Sequence, residues 1–323
     1  MSTVVHLFVS EKKVILDRNE GWRDHPLVPN WVDTSKTGLD QFFTKPEIAK
    51  SCHDSLLEFM RLDGANEKQY EFIEPSAGTG SFFDCLPPKR RTGIDIFPFR
   101  DEYINQDFLS WKPPWGEKYA VVGNPPFGYR GWLALAFVNH AARFADYLGM
   151  ILPMSFQSDG KGSPKFRVKG FRLLHTEYLP ADSFVDIHGS PVKVNALWQI
   201  WQRGVNNLHP VPACDEWLDL FTVDMRKERL CGQARLGEAD FFLQRTFFKS
   251  PPSLVKDFSE VRYVCGYGLI IKKDRQAIID LLDKADWVQY SNLAAHNCRH
   301  ISMYHIRQVL TDAGYTDAQA VAG

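Results

Sequence analysis

The sequence predicts an α/β fold: a mostly parallel sheet with helices on both faces, followed by a small α+β region. Three observations carry this. Short apolar, β-branched or aromatic runs alternate with stretches of helical period between residues 44 and 204. A glycine turn, Gly78-Thr79-Gly80, follows the first of those runs. Two strand-like segments, "SFVDIHG" and "KVNALWQIWQRG", stand close together where the alternation ends. Strands joined by crossover helices lie parallel and are covered on both sides, so such runs read as continuously apolar.

Residues 1–38 hold turn formers ("RDHPLVPNWVDTSKTG") and little periodicity, and are expected to be an irregular lead-in. Residues 44–64 read as a helix, with capping-box spacing between Thr44 and Glu47, Pro46 in the first turn and Gly64 past the end. Ile48, Cys52, Leu56 and Phe59 give it one apolar face. "YEFIEP" is expected as a strand, and "SAGTGSFFDCL" as a turn opening a helix. "RTGIDIF" follows as a strand, "YINQDF" as a short edge strand, and "YAVVG" as a strand stopped by Pro125 and Pro126. Residues 131–149 read as a strongly apolar helix and "GMILPMSF" as the next strand. This sets one domain at 39–204 and a small C-terminal region at 205–323. The latter opens with a linker ("NNLHPVPACDE"), is broken at "KSPPS", and mixes short strands with two helices ("DRQAIIDLLDKA", "ISMYHIRQVLTDAG").

The 323 residues are 44% hydrophobic and 24% charged, the composition of an ordinary soluble globular protein. No apolar run approaches the roughly 20 residues of a membrane helix. With no basic, apolar leader either, a cytoplasmic location is expected. The 6 cysteines are scattered without a C-x-x-C pair, which argues against a disulfide framework and a zinc ribbon. Ligand types cluster in "HNCRH" (296–300), but one short segment cannot readily wrap an ion, so no metal is expected. A net charge of −1, from 38 basic and 39 acidic residues, excludes a globally basic nucleic-acid binder but leaves room for a local one.

The chemistry gathers at strand ends. Gly78 and Gly80 let a ligand approach the backbone, at the place where open parallel sheets bind ligands. No G-K-[ST] follows, and the third glycine of the dinucleotide fingerprint is missing, so a phosphate loop and a nicotinamide cofactor are disfavoured. Glu74, Asp95 and Asp107 stand at successive strand termini and describe a nucleoside pocket, with Asp95 suited to ribose hydroxyls and Asp107 to an exocyclic amine. "GNPPFG" (123–128) then offers two acceptors, the Asn124 amide oxygen and the Pro125 carbonyl, on backbone stiffened by Pro125 and Pro126. A planar NH₂ group, with two hydrogens to donate, is the matching guest. Phe127 supplies a flat face for an aromatic base, worth about 1–3 kcal/mol. Gripping both hydrogens pushes electron density onto an otherwise unreactive amine, which can then take a methyl group from a sulfonium donor by direct displacement.

"FFTKPEIA", "EPSAGTGSFF", "GIDIF", "NQDFL" and "GNPPFG" resemble, in this order, the motifs of S-adenosylmethionine-dependent adenine-N6 DNA methyltransferases whose "FTKPEIA"-like segment comes first. The likeness covers roughly residues 38 to 204. It implies a Rossmann-like seven-stranded sheet, S-adenosyl-L-methionine as cofactor and a flipped-out target base. By matching position, Phe43, Thr44 and Pro46 would meet the cofactor's methionine end, and Glu74, Ser76, Ala77 and Gly78 its middle. Asp95 would hold the ribose, Ile96 would pack on the cofactor adenine, and Asp107 with Phe108 would mark that adenine's edge. Asn124, Pro125, Pro126 and Phe127 would form the catalytic turn. "NALWQIW" resembles the later strand that helps sandwich the flipped base, with Trp198 either facing the base or buried.

For the polynucleotide, "GKGSPKFRVKGFRLLHT" (160–176) carries Lys161, Lys165, Arg167, Lys169 and Arg172 and no acid, with Phe166 and Phe171 interleaved. It is expected as a mobile phosphate-gripping loop on the rim where the base enters. "QRTFFKSPPSLVK" (244–256) reads as a compact reader of the target, smaller than the recognition domain many family members carry. DNA is the expected partner; no membrane partner is expected, and a restriction partner is not specified by these residues. The alternatives are the same chemistry on RNA, methylation of a protein glutamine, and an inactive cofactor-binding module that only holds DNA.

Overall fold

A computed structural model describes residues 42–158, 162–208, 213–226, 231–294 and 297–317. The expected lead-in at 1–38, Lys161 and His296 lie outside them. The chain divides into two compact units, one reaching to Phe156 and resuming over Pro164–Leu208, the other comprising Gln157–Ser163 and the chain from His209 onward.

In the first unit the elements are β1 (Phe43–Thr44), α1 (Pro46–Leu62), β2 (Tyr70–Pro75), β3 (Arg91–Asp95), β4 (Ile104–Asn105), β5 (Lys118–Gly123), α2 (Trp132–Ala141), β6 (Tyr147–Pro153), β7 (Phe171–Tyr178), β8 (Phe184–Val185), β9 (Pro191–Val192) and β10 (Ala196–Arg203). Seven strands form one sheet in the order β4-β3-β2-β5-β6-β10-β7. Strands β2 to β6 pair in parallel. β10 runs antiparallel to both β6 and β7. The fold is thus Rossmann-like, with a mostly parallel seven-stranded sheet. The order turns back between β2 and β5, so a crevice opens there at the strands' carboxyl ends.

The periodicity of the strands explains the packing. Tyr70, Phe72, Ala120, Val122, Tyr147, Ile151, Trp198 and Ile200 share one face with Cys52, Leu56 and Met60 of α1. Val121, Leu148, Met150 and Leu152 point the other way, are equally buried, and lie on the face where α2 crosses β6. Helices therefore cover both faces.

Several expectations shift. Helix α1 begins at Pro46 with Lys45 as its N-cap and no side-chain cap. Thr44 pairs instead with Phe184 in the small β1-β8-β9 sheet, which removes β8 from the main sheet. The glycine turn opens no α-helix: only a 3₁₀ turn, Phe83–Cys85, fits before Pro87 and Pro88 redirect the chain. The apolar helix ends at Ala141 and not at Gly149, because Asp146 N–H must reach the Tyr119 carbonyl (2.9 Å) to start β6 beside β5. The basic segment is not a loop throughout, since Phe171–Tyr178 forms edge strand β7.

The second unit holds β11 (Leu218–Asp224), β12 (Phe241–Gln244), β13 (Thr246–Phe247), β14 (Cys265–Ile271), α3 (Arg275–Asp283), β15 (Asn292–Leu293), β16 (Arg299–His300) and α4 (Met303–Asp312). Its two three-stranded sheets are β11-β14-β12 and β13-β16-β15. Leu220, Leu269, Ile278, Leu282, Trp287, Ile306 and Leu310 make its core. A capping box between Ser302 and His305 starts α4. No helix among the described residues is long and apolar enough to cross a membrane.

Candidate active site

At the carboxyl ends of β4, β3, β2 and β5 lies a cavity of about 370 Å³. The four strand ends that border it span three inter-strand spacings, about 14 Å. Phe43, Thr44, Glu74, Ser76, Ala77, Gly78, Asp95, Ile96, Asp107, Phe108, Asn124, Pro125 and Pro126 all line it. The residues singled out along the sequence thus converge, through topology alone.

The glycine turn is held from two sides. Within, Asp95 accepts from Gly78 N–H (2.8 Å) and Phe97 N–H (2.9 Å), and Glu74 accepts from Phe83 N–H (2.7 Å). Burial pushes the Glu74 carboxyl well above the usual carboxylate range, and the Phe83 N–H offsets this in part. Burial raises Asp95 likewise, against the pull of its backbone donors. Ser76 sits at φ 76°, an unusual conformation for a side-chain-bearing residue, and its hydroxyl reaches the Asn124 carbonyl (3.3 Å). Outside, Arg100 clamps Asp84 through two bonds (2.6 and 2.7 Å) and donates to the Thr79 carbonyl (2.8 Å).

That clamp explains Gly80. Its φ is +94°, and a Cβ there would stand 2.5 Å from both Arg100 Nη2 and the Tyr103 hydroxyl. Gly80 does not line the cavity; it makes room for the arginine brace. This corrects its expected contact with a cofactor. Pro46 does not line the cavity either, because it is spent in starting α1.

The leading segment reaches the pocket through β1. Lys45 N–H donates to the Ser183 carbonyl (3.0 Å), and Ser81 Oγ donates to the Thr44 carbonyl (2.6 Å). Asn124 Nδ2 donates to the Phe42 carbonyl (3.3 Å), which orients the amide. Its Oδ1 is then left buried with no hydrogen-bond partner among the described residues, as is Thr44 Oγ1 in the same cavity. Buried acceptors are rarely left unpaired, and each costs about 1–3 kcal/mol. In this cavity the two offer hydrogen-bond partners to a ligand.

Phe127 departs from expectation. Its ring is buried in the core beneath α1 and meets Phe42 edge to face at 5.4 Å, so it presents no open face to the cavity. Trp198 is fully buried and stacked on Phe82 at 6.1 Å, which settles it as core.

The basic segment runs elsewhere. To begin β7 parallel to β6, the chain must return from the sheet's carboxyl edge to its amino edge, and it does so along α2. Lys165 and Arg167 lie in a 3₁₀ turn. Asn139, near the end of α2, binds the Arg167 carbonyl (3.2 Å) and Lys169 N–H (2.8 Å). Arg172 is paired in register with Gln202, bonds its side chain (2.6 Å), and lies 3.5 Å from Asp63. Lys169 and Arg172 therefore lie toward the edge opposite the cavity, which corrects their expected place on its rim.

Other lining residues carry no signal of their role in the sequence: Phe42, Thr79, Ser81, Phe82, Ile94, Phe97, Phe99, Gln106, Leu109, Trp132, Leu133 and Phe137. The last three belong to α2, and the one available hint is that a crossover helix after the proline turn must begin above the strand ends.

No protein-family model matches the sequence, and no curated protein matches it. Solved structures do resemble it. One is the 23S rRNA methyltransferase ErmE, 17% identical over 51% of this chain and 71% of that one, with a TM-score of 0.35. Another is the type IIG restriction endonuclease BpuSI, 15% identical over 56% of this chain and 26% of that one, with a TM-score of 0.39. A third is the magnesium protoporphyrin IX methyltransferase ChlM from Synechocystis PCC 6803 with bound SAM, 16% identical over 49% and 81%, with a TM-score of 0.33. At these values the likenesses carry no argument about chemistry, which rests on the cavity itself.

Proposed function

We propose that the chain transfers a methyl group from S-adenosyl-L-methionine to the N6 amine of adenine in DNA. The observation that carries this reading is the Asn124 amide, whose nitrogen is tied to Phe42 and whose oxygen is buried and unpaired beside Pro125 and Pro126. An acceptor so placed asks for an N–H donor.

The lining fits the cofactor. The span of the four strand ends suits a nucleoside with an amino-acid tail. Exposed Ile96 and buried Phe108 offer apolar surface for its adenine, and Asp95 and Asp107 offer acceptors for ribose hydroxyls and amine. Thr44 Oγ1, buried and without a partner among the described residues, suits the polar tail. The cofactor supplies, when bound, a sulfonium methyl that a nitrogen lone pair displaces, with a thioether and one proton as the other products. Asn124 Oδ1 and the Pro125 carbonyl take one amine hydrogen each and favour the pyramidal nitrogen of the transition state. The prolines keep both acceptors from reorganising, which is where preorganised dipoles gain their effect. A base can reach this recess only outside the helical stack.

The order of the motifs, with "FFTKPEIA" ahead of the glycine turn, supports adenine in DNA as the substrate. Incubation with methyl-labelled cofactor and, separately, DNA, RNA or protein, followed by nucleoside and amino-acid analysis, tests it. Label in N6-methyladenine from DNA is expected. Label in RNA alone would move the reading to RNA, and label in protein glutamine or nowhere would overturn it.

A further inference from the structure

The second unit displays a surface that the methyl-transfer cavity does not use. Just before β14, Tyr263 and Val264 both adopt left-handed backbone, with φ of 61° and 47°. Side-chain-bearing residues avoid this region, a β-branched valine most of all, and such strain persists where the surroundings or a function require it. Its effect here is display. Tyr263 is 57% exposed, Val264 46%, and the Tyr263 ring meets the 53% exposed ring of Phe248 edge to face at 6.2 Å.

Charge accompanies the rings. Lys249 follows Phe248 and Arg262 precedes Tyr263, and both are exposed. Elsewhere in the unit, Arg226, Arg235, Arg275 and Arg307 each pair with a carboxylate. Arg299 bonds the Val288 carbonyl, and Arg245 points at Cys265 sulfur. The side chains of Lys249 and Arg262 have no such partner among the described residues.

We propose that this face binds a nucleic-acid strand, its bases against Phe248 and Tyr263 and its phosphates against Lys249 and Arg262. Each ring has a cation as its chain neighbour, which matches the way base and phosphate alternate along a strand. Stacking on a ring is tolerant of sequence, and the unpaired cations supply the salt-dependent part of the affinity. The inference rests on the reading of the substrate as a polynucleotide, and it adds a binding surface remote in sequence from the catalytic turn.

The test is fluorescence anisotropy of the full chain, without cofactor, against labelled single-stranded and duplex oligonucleotides. Replacing Phe248 and Tyr263 together by alanine is expected to weaken binding about tenfold or more. Replacing Lys249 and Arg262 by alanine should make the slope of log affinity against log salt shallower by about 0.7–0.9 per phosphate left without its cation. Tyr263→Gly separates binding from folding: it relieves the backbone, so the melting temperature should rise while affinity falls. Wild-type affinity and slope in all these variants would overturn the proposal. So would a dimer, seen by light scattering, that Phe248→Ser dissolves, since the face would then serve a second copy. Because no cofactor is present, oligonucleotide binding that these variants abolish, in a protein that yields no methylated nucleoside, would keep this inference and sink the earlier reading.

Discussion

Asn124, Glu74 and Gly80 show how single residues set the site's properties. The raised Glu74 carboxyl has a signed consequence. Because the folded state holds this proton more tightly than the unfolded chain, Glu74 contributes most to stability below the ordinary carboxylate range, and that contribution is lost as pH rises through its folded value. Glu74→Gln keeps an oxygen for Phe83 N–H without a charge to bury. The variant is expected to melt higher than wild type at pH 8, with the difference shrinking toward pH 4, in thermal melts across that range; an equal or lower melting temperature at pH 8 would remove the burial argument. Gly80→Ala should cost about 1–3 kcal/mol through the positive φ and the displaced Arg100. Calorimetry should also show weaker cofactor binding, since Arg100 braces the turn that carries Gly78. An alanine variant of wild-type stability would mean that the brace yields freely. Asp95→Ala is expected to lower cofactor affinity by at least about tenfold, because the carboxylate both locks Gly78 and faces the cavity; unchanged affinity would take Asp95 out of the pocket.

At the scale of elements, close approach decides what the sheet tolerates. A Cβ on Gly149 of β6 would stand 2.5 Å from the Trp198 ring, which is buried in the core with α1. Gly149→Ala should therefore destabilise the first unit by about 1–3 kcal/mol through overpacking, read as a lower denaturation midpoint. The elements also show what sequence pattern can and cannot reveal. β5 and β6 are legible because both of their faces are covered, which leaves continuous apolar runs. β7 is not, since it is an edge strand whose Arg172, Glu177 and Tyr178 face solvent and break the alternation. The end of α2 is hidden because residues 142–146 are as helix-compatible as those before them, and a tertiary bond to Tyr119 ends the helix. The missing helix after Gly80 is signalled only by Pro87 and Pro88.

Across the whole molecule, the cavity's polar residues can be read from sequence because topology puts every parallel strand's carboxyl end on one edge. Its apolar wall of Trp132, Leu133 and Phe137 cannot, because those residues become lining only once α2 is docked. Phe127 and the basic segment mislead for the same reason: composition says what a side chain can do, while packing decides what it faces. Ligand linkage follows from the division into two units. Cofactor at about 100 times its dissociation constant should stabilise the first unit by about 2.7 kcal/mol. Hydrogen exchange should show new protection at 74–81, 94–99 and 106–109, and little change over 218–312. The proposed mechanism turns on the Asn124 amide oxygen gripping the target amine. The most direct measurement is single-turnover methyl transfer by Asn124→Ala alongside calorimetry of cofactor binding. Turnover is expected to fall about 100-fold or more with cofactor affinity retained; near-wild-type turnover would contradict the account.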